Sequence, residues 1–153
     1  MVSGAKNPDL KAAFKSHLDE TKQQAERLVK IAEMLGIKAS GKVCKGMEGL
    51  IEEGAEALSE DGVAIVLDLG IIGAASRVEH YEIAGYTAAI SLAEALGLTE
   101  AVKVLNESLF EETRAEASLS ELSARLISEI AKSEAAPESN GGKAAKRMMA
   151  GKT

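Results

Sequence analysis

Tryptophan is absent from this chain, aromatic residues make up only 3% of it, and two prolines and one cysteine are spread over 153 residues. Each scarcity excludes something. A β-sheet packs best with aromatic and β-branched residues, so an aliphatic composition argues against one. Rare proline leaves long uninterrupted helices open. The single cysteine, Cys44, has no partner for an intramolecular disulfide, which places the chain by expectation in a reducing compartment, the cytoplasm. No basic-then-apolar leader opens the sequence, so secretion is not expected. The longest apolar run, Val63 to Ala75, is broken by Asp68 and is too short to span a bilayer, so no membrane association is expected. Positive charge is also in deficit. A net charge of −6 argues against a grip on nucleic acid by the folded body.

What is there is aliphatic. Hydrophobic residues reach 46%, enough for one domain around one core of Leu-, Ile- and Ala-rich helices. Asn7-Pro8 reads as an N-cap followed by proline at the first helical position. The helix it opens runs to about Leu35, where Gly36 is a natural stop, for a length of roughly 40 Å. A linker rich in Gly, Ser and Lys spans Ile37 to Lys45. A shorter helix, about Gly46 to Leu58, precedes a break at Ser59 to Gly62. A long helix covers about Val63 to Leu96 and is stopped by Gly97, and Thr99 is placed to cap a last long helix reaching about Lys132. From Glu134 the composition turns to Ala, Gly, Ser, Lys and Pro with no apolar stripe. The expected organisation is a helical domain over 1–133 and a flexible basic tail over 134–153.

Each long helix carries an apolar stripe at steps of three and four, and each stripe is broken at mid-length by groups that ligate metals. In the first helix it steps through Leu10, Phe14, His17, Glu20 or Thr21, Gln24, Leu28, Ile31 and Leu35, with His17 and Glu20 on one face. In the second long helix it runs Ile72, Ala75, Glu79, Glu82, Tyr86, Ala89, Ala93 and Leu96. In the last it runs Val102, Leu105, Leu109, Glu112, Glu116, Leu119, Leu122 and Leu126. Any one of these groups has an ordinary reading. A lone histidine is usually structural, and the run Glu111-Glu112 is usually a solvated face. The argument rests on three independent stripes interrupted at matching heights. Buried carboxylates without partners cost several kcal/mol each, and cations would both neutralise them and supply the missing partners. Carboxylate oxygens with imidazole suit iron or manganese, and di-iron helical bundles place their ligands as inward Glu and Glu/His pairs. His80 lies one position off its stripe, as a flanking ligand, a supporting group or a structural residue. Tyr86 and Gln24 read as supporting or structural.

The segments "PDLKAAFKSHLDETKQQAERL", "CKGMEGLIEEG" and "RVEHYEIAGY", with "LFEETRAEASLSELS" near the end, resemble the YciE/YciF branch of ferritin-like proteins over about residues 5–130. The resemblance implies a ferritin-like all-α antiparallel bundle, a dinuclear metal site, homodimers or higher homo-oligomers, and a link to bacterial stress responses. Members of that family open with a further helix, of the pattern Leu-Tyr-x-Ala-Glu, that supplies one bridging Glu. Met1 falls where that helix ends. Three long helices and one short one are therefore expected, with an apolar groove along the seam of the missing helix, suited to self-association or a partner helix.

Two functional classes follow. One is a metal-dependent oxidoreductase handling peroxide or oxygen, with His17, Glu20, Glu79, Glu82 and Glu112 as ligands and Glu116 and His80 beside them. The other is a non-catalytic stress-response bundle that dimerises without a functional metal. An interaction module using the groove is a third.

Overall fold

The computed structural model describes residues 1–135, with side chains to 133. Four helices account for most of them: α1 (Pro8–Met34), α2 (Lys45–Ser59), α3 (Ala64–Ala95) and α4 (Thr99–Ala135). No strand occurs among the described residues, and no helix there is long and apolar enough to cross a membrane. The tail read from Glu134 onward lies outside the described residues, apart from the last helical positions 134 and 135.

The helix ends follow local chemistry. Asn7 accepts hydrogen bonds through Oδ1 from the backbone N–H groups of Asp9 (2.8 Å) and Leu10 (3.1 Å), which satisfies two donors that the first turn leaves open. Gly36 and Gly97 take φ of 67° and 69°, a left-handed conformation that glycine adopts without penalty. The N–H of the residue after each glycine reaches back to Ala32 (3.0 Å) and Ala93 (2.9 Å), closing the helix with a Schellman motif.

α4 is the central element. It packs along α3 and also against α1, while α2 leans mainly on α3. Asp9 pairs with Arg125 near one end and Arg27 with Glu111 towards the other, so α1 runs antiparallel to α4. α3 does too, because Ile71, Ile72 and Ala75 meet Leu119, Leu122 and Leu126, while Ile90 and Ala93 meet Ala101 and Leu105. α1 and α3 barely meet along their backbones. The seam between them stays open, walled in part by α2.

That opening changes which stripe residues are buried. Leu10, Phe14 and Gln24 are buried as expected, but Leu28 and Leu35 are exposed. Beside the apolar contacts of Leu10 and Phe14, ion pairs join α1 to α4: Asp9–Arg125, Glu20–Arg114 and Arg27–Glu111 mark three levels of their interface. The expected single core is in fact two. One cluster centres on Leu10, Phe14, Ile71, Ile72, Leu119 and Leu122. The other holds Tyr86, Ile90, Ala93, Ala101 and Leu105. Between them lies a polar layer.

Asp68, legible in the sequence only as an interruption, is buried and has a specific task. Its two carboxylate oxygens accept from the backbone N–H groups of Lys6 and Asn7, both at 2.7 Å. The entry to α1 is thereby tied to the first turns of α3. Asp68→Ala leaves those N–H groups without their charged acceptor and is expected to destabilise the fold by about 3 kcal/mol. The check is a fall in the urea midpoint at unchanged m-value, with Asp68→Asn losing less because it keeps one acceptor.

Candidate metal centre

The polar layer is assembled from three helices. α1 contributes His17, α3 contributes Glu79 and Glu82, and α4 contributes Glu112. One potential donor atom from each lies within 4.8 Å of all the others. Each residue sits where its helix would otherwise present an apolar side chain, because i, i+3 and i+4 spacing aims it at the bundle axis.

Burial at the centre is severe. Glu112 is 0% exposed and Glu79 4%. His17 Nε2 stands 3.2 Å from Glu79 Oε2 and 3.4 Å from Glu112 Oε2, yet Glu79 Oε2 and both oxygens of Glu112 have no hydrogen-bond partner. Buried polar atoms are nearly always satisfied, and an unpaired carboxylate is among the costliest exceptions. Three such oxygens at one spot concentrate negative charge that no group of the described chain neutralises by hydrogen bonding.

The proton affinities report the same imbalance. The Glu79 carboxylate 3.2 Å away outweighs burial and raises His17 to about 9. Burial, reinforced by Glu79 and the charge of Glu82, pushes Glu112 up to about 8. Burial also raises Glu82. Burial works to raise Glu79 as well, but the close approach of the His17 imidazole and the Glu112 carboxyl prevails and holds it below the ordinary carboxylate range. Protons on His17 and Glu112 offset part of the negative charge of the cluster.

The other residues anticipated for the site lie outside this group of four. Glu20 faces His17 Nδ1 at 3.5 Å and accepts from Arg114. It therefore stands behind the imidazole, in the place of a group that fixes ring orientation. Glu116 is partly buried and accepts from Ser120 Oγ at 2.8 Å. His80 is exposed, although its charge is felt at Glu79.

One supporting network was not anticipated. Arg27 donates to both oxygens of Glu111 (2.6 and 2.8 Å) and to Ser108 Oγ (3.3 Å), and Gln24 Nε2 donates to Glu111 at 3.0 Å. The Arg27 guanidinium holds the Glu111 carboxyl below its usual range. Glu111 is thus a clamp between α1 and α4 one residue before Glu112, and not part of a solvated acidic run. Only the pairing of two residues 84 positions apart reveals this, and no local pattern encodes it. Tyr86 completes the far side of the layer, where burial raises its phenol.

Two cavities meet at His17 and Glu79. A polar one of about 280 Å³ opens between α1 and α4 beside Ser16, Arg114 and Ser118, and an apolar one of about 710 Å³ lies in the seam between α1 and α3. His17 and Glu79 line both.

Known proteins match this chain over most of its length. The sequence profile of a family described only as a domain of unknown function, DUF892, matches residues 1–132. Protein YciF of Escherichia coli (strain K12) is 38% identical over 136 residues, which cover 88% of this chain and 82% of YciF. The crystal structure of the E. coli stress protein YciF superimposes with a TM-score of 0.79 at 38% identity, covering 83% of this chain and 80% of that one. YcfI of Rhodopseudomonas palustris gives a TM-score of 0.74 at 42% identity, covering 78% and 76% respectively.

The proton-filled cluster has a signature. His17 and Glu112 bind protons more tightly in the fold than at their ordinary values of 6.5 and 4.5. The unfolded chain therefore sheds those protons first as pH rises. The stabilisation is complete below the ordinary values and is lost as pH climbs through about 8 for Glu112 and about 9 for His17. Glu79 acts in the opposite sense, losing its contribution only in acid. Melting temperatures measured in chelator should decline from mildly acidic pH towards pH 9, and Glu112→Gln should flatten that decline.

Proposed function

The chain belongs to the DUF892 family, and on that premise we propose that it is a stress-associated protein holding a pair of iron or manganese ions between α1, α3 and α4, and handling peroxide or oxygen there. One observation carries the reading: three buried carboxylate oxygens of Glu79 and Glu112 lie beside His17 with no partner in the chain. Oxygen and imidazole donors in this mixture suit iron and manganese. In this reading His17, Glu79, Glu82 and Glu112 are the ligands, and Glu20 orients His17. Glu116 and His80, near the cluster in sequence, add negative charge and a flanking imidazole. The ions would supply the electron transfer and oxygen affinity that no side chain here possesses. The chain's own residues do the rest. Glu112 sits where water is excluded, His17 and Glu112 exchange protons for cations on loading, and the cavity beside Arg114 admits small polar molecules. The lone thiol of Cys44 fits a cytoplasmic setting.

Protein purified without chelator should carry iron or manganese near two ions per chain by elemental analysis. Glu79→Gln and Glu112→Gln should reduce that content at least severalfold, and loaded protein should consume peroxide or oxidise ferrous iron. Metal-free protein of full helicity that takes up no ions on titration would sink the proposal.

A second observation favours self-association as a companion or alternative role. α3 is apolar on nearly every side, yet beyond α2 its outer face has no cover: Gly85, Ala88, Leu92 and Leu96 form an exposed line at steps of three and four. Such a line suits antiparallel packing against the same line of a second copy, with small residues allowing close approach. Leu92→Glu should convert a dimer to a monomer in light scattering while leaving metal content unchanged. A wild-type chain that is monomeric at high concentration removes this reading.

A further inference from the structure

Glu79 is only 4% exposed, and its unpartnered oxygen must be reached from water by any ion that is to meet it. The cavity of about 280 Å³ between α1 and α4 makes that connection. Its walls come from two helices that pack directly on each other. Ser16, Arg114 and Ser118 stand exposed at its outer end, and His17 and Glu79 lie at its inner end. Ser16, Ala115 and Ser118 are small, so the space along the walls stays free. A divalent cation cannot shed its hydration shell among apolar groups without a prohibitive cost. It has to exchange water for other oxygen donors on the way in. This cavity supplies serines where it meets water and a carboxylate where it ends.

Glu20 connects two of the lining residues. It accepts from Arg114 and lies 3.5 Å from His17 Nδ1. The Glu20 side chain is 20% exposed and that of Arg114 is 55% exposed, so the pair is wet on its outer side. Exposed ion pairs part at little cost, and the guanidinium is free to swing into water. Doing so bares a carboxylate next to the imidazole. While paired, the same guanidinium occupies that carboxylate and sets a positive charge at the mouth.

Resting on the metal reading above, we propose that the cavity between α1 and α4 is the passage by which divalent cations enter and leave the cluster, with Glu20 as a transit carboxylate and Arg114 as its gate. A gate differs from a ligand in what it changes. Narrowing a passage slows entry and exit by one factor, because both directions cross the same barrier, and leaves affinity alone. Losing a ligand changes affinity.

The test mixes the metal-free full chain with manganese(II) and follows uptake by the loss of the free-ion paramagnetic resonance signal. Release from the loaded chain into excess chelator gives the reverse rate. Ser16→Leu and Ser118→Leu, at exposed positions on facing helices, should each slow uptake and release together, severalfold, at unchanged stoichiometry and helicity. Arg114→Gln should load roughly fivefold faster, the effect of removing one unit charge about 4 Å from the ion in water. Arg114→Lys, which keeps the charge, should load near the wild-type rate. The advantage of Arg114→Gln should shrink in 1 M salt, where screening acts within about 3 Å. Wild-type rates in both leucine variants would send the ions by another route and overturn the proposal, as would Arg114→Gln loading no faster than wild type. Leucine variants that shift affinity without scaling both rates would make Ser16 and Ser118 supports of the site, and the passage falls. In each of these cases manganese still binds, so the metal reading survives. A chain that takes up no manganese removes both together.

Discussion

Glu112 is wholly enclosed, ionisable, and without a hydrogen-bond partner for either oxygen. Most of the architecture can be understood as the means of keeping it and its neighbours there. A buried carboxylate normally escapes its penalty by rotating to solvent or by giving way to an apolar residue. Here rotation is blocked by α4 lying between two helices, and Glu111 next to it is clamped by Arg27 and Gln24. The clamp fixes the rotation of α4 about its axis, which in turn commits Glu112 to the interior. The price in stability falls on the middle of the bundle, while the packing that supports it sits at the two ends.

This separation leaves α1 with ion pairs at its middle beside the apolar contacts at its start. With the seam towards α3 open, α1 has α4 as its main packing partner, and polar residues dominate the middle of that interface. Individual surface ion pairs contribute little. Arg27 and Glu111 are largely sheltered and paired in parallel through two nitrogens, the geometry in which such pairs are strongest. Asp68 adds a second anchor by drawing the backbone before α1 onto α3. Between them these contacts hold His17 opposite Glu79 without a continuous apolar interface.

Much of this was legible in the residues. Asn7-Pro8, Gly36 and Gly97 announced helix ends because capping and left-handed stops depend on local chemistry alone. The resemblance carried by "HLDET" and "RVEHYEIA" to the YciE/YciF family is borne out by the relatives found. Periodicity indicated that His17, Glu79, Glu82 and Glu112 face inward, and the structure gathers them. It could not rank Glu20 or Glu116 against them, since one turn along a helix separates a residue at the axis from one beside it. Nor could it find the partners of Asp68 or Glu111, which lie 61 and 84 positions away at the nearest. Leu28 and Leu35 illustrate the opposite failure: an apolar stripe states which way a helix faces, and says nothing of whether a neighbour is there to meet it.

The division of the interior into two apolar clusters has a bearing on how such a chain can change over time. Each cluster draws on its own residues of α3 and α4, and the polar layer insulates one from the other. Size changes among Leu119, Leu122 and Ile72 can be absorbed without disturbing Ile90 or Leu105, so lineages are free to drift at either pole. The shared middle is what both poles must continue to align. Related sequences should thus diverge in bands, permissive at the ends and restrained across a belt only a few turns wide.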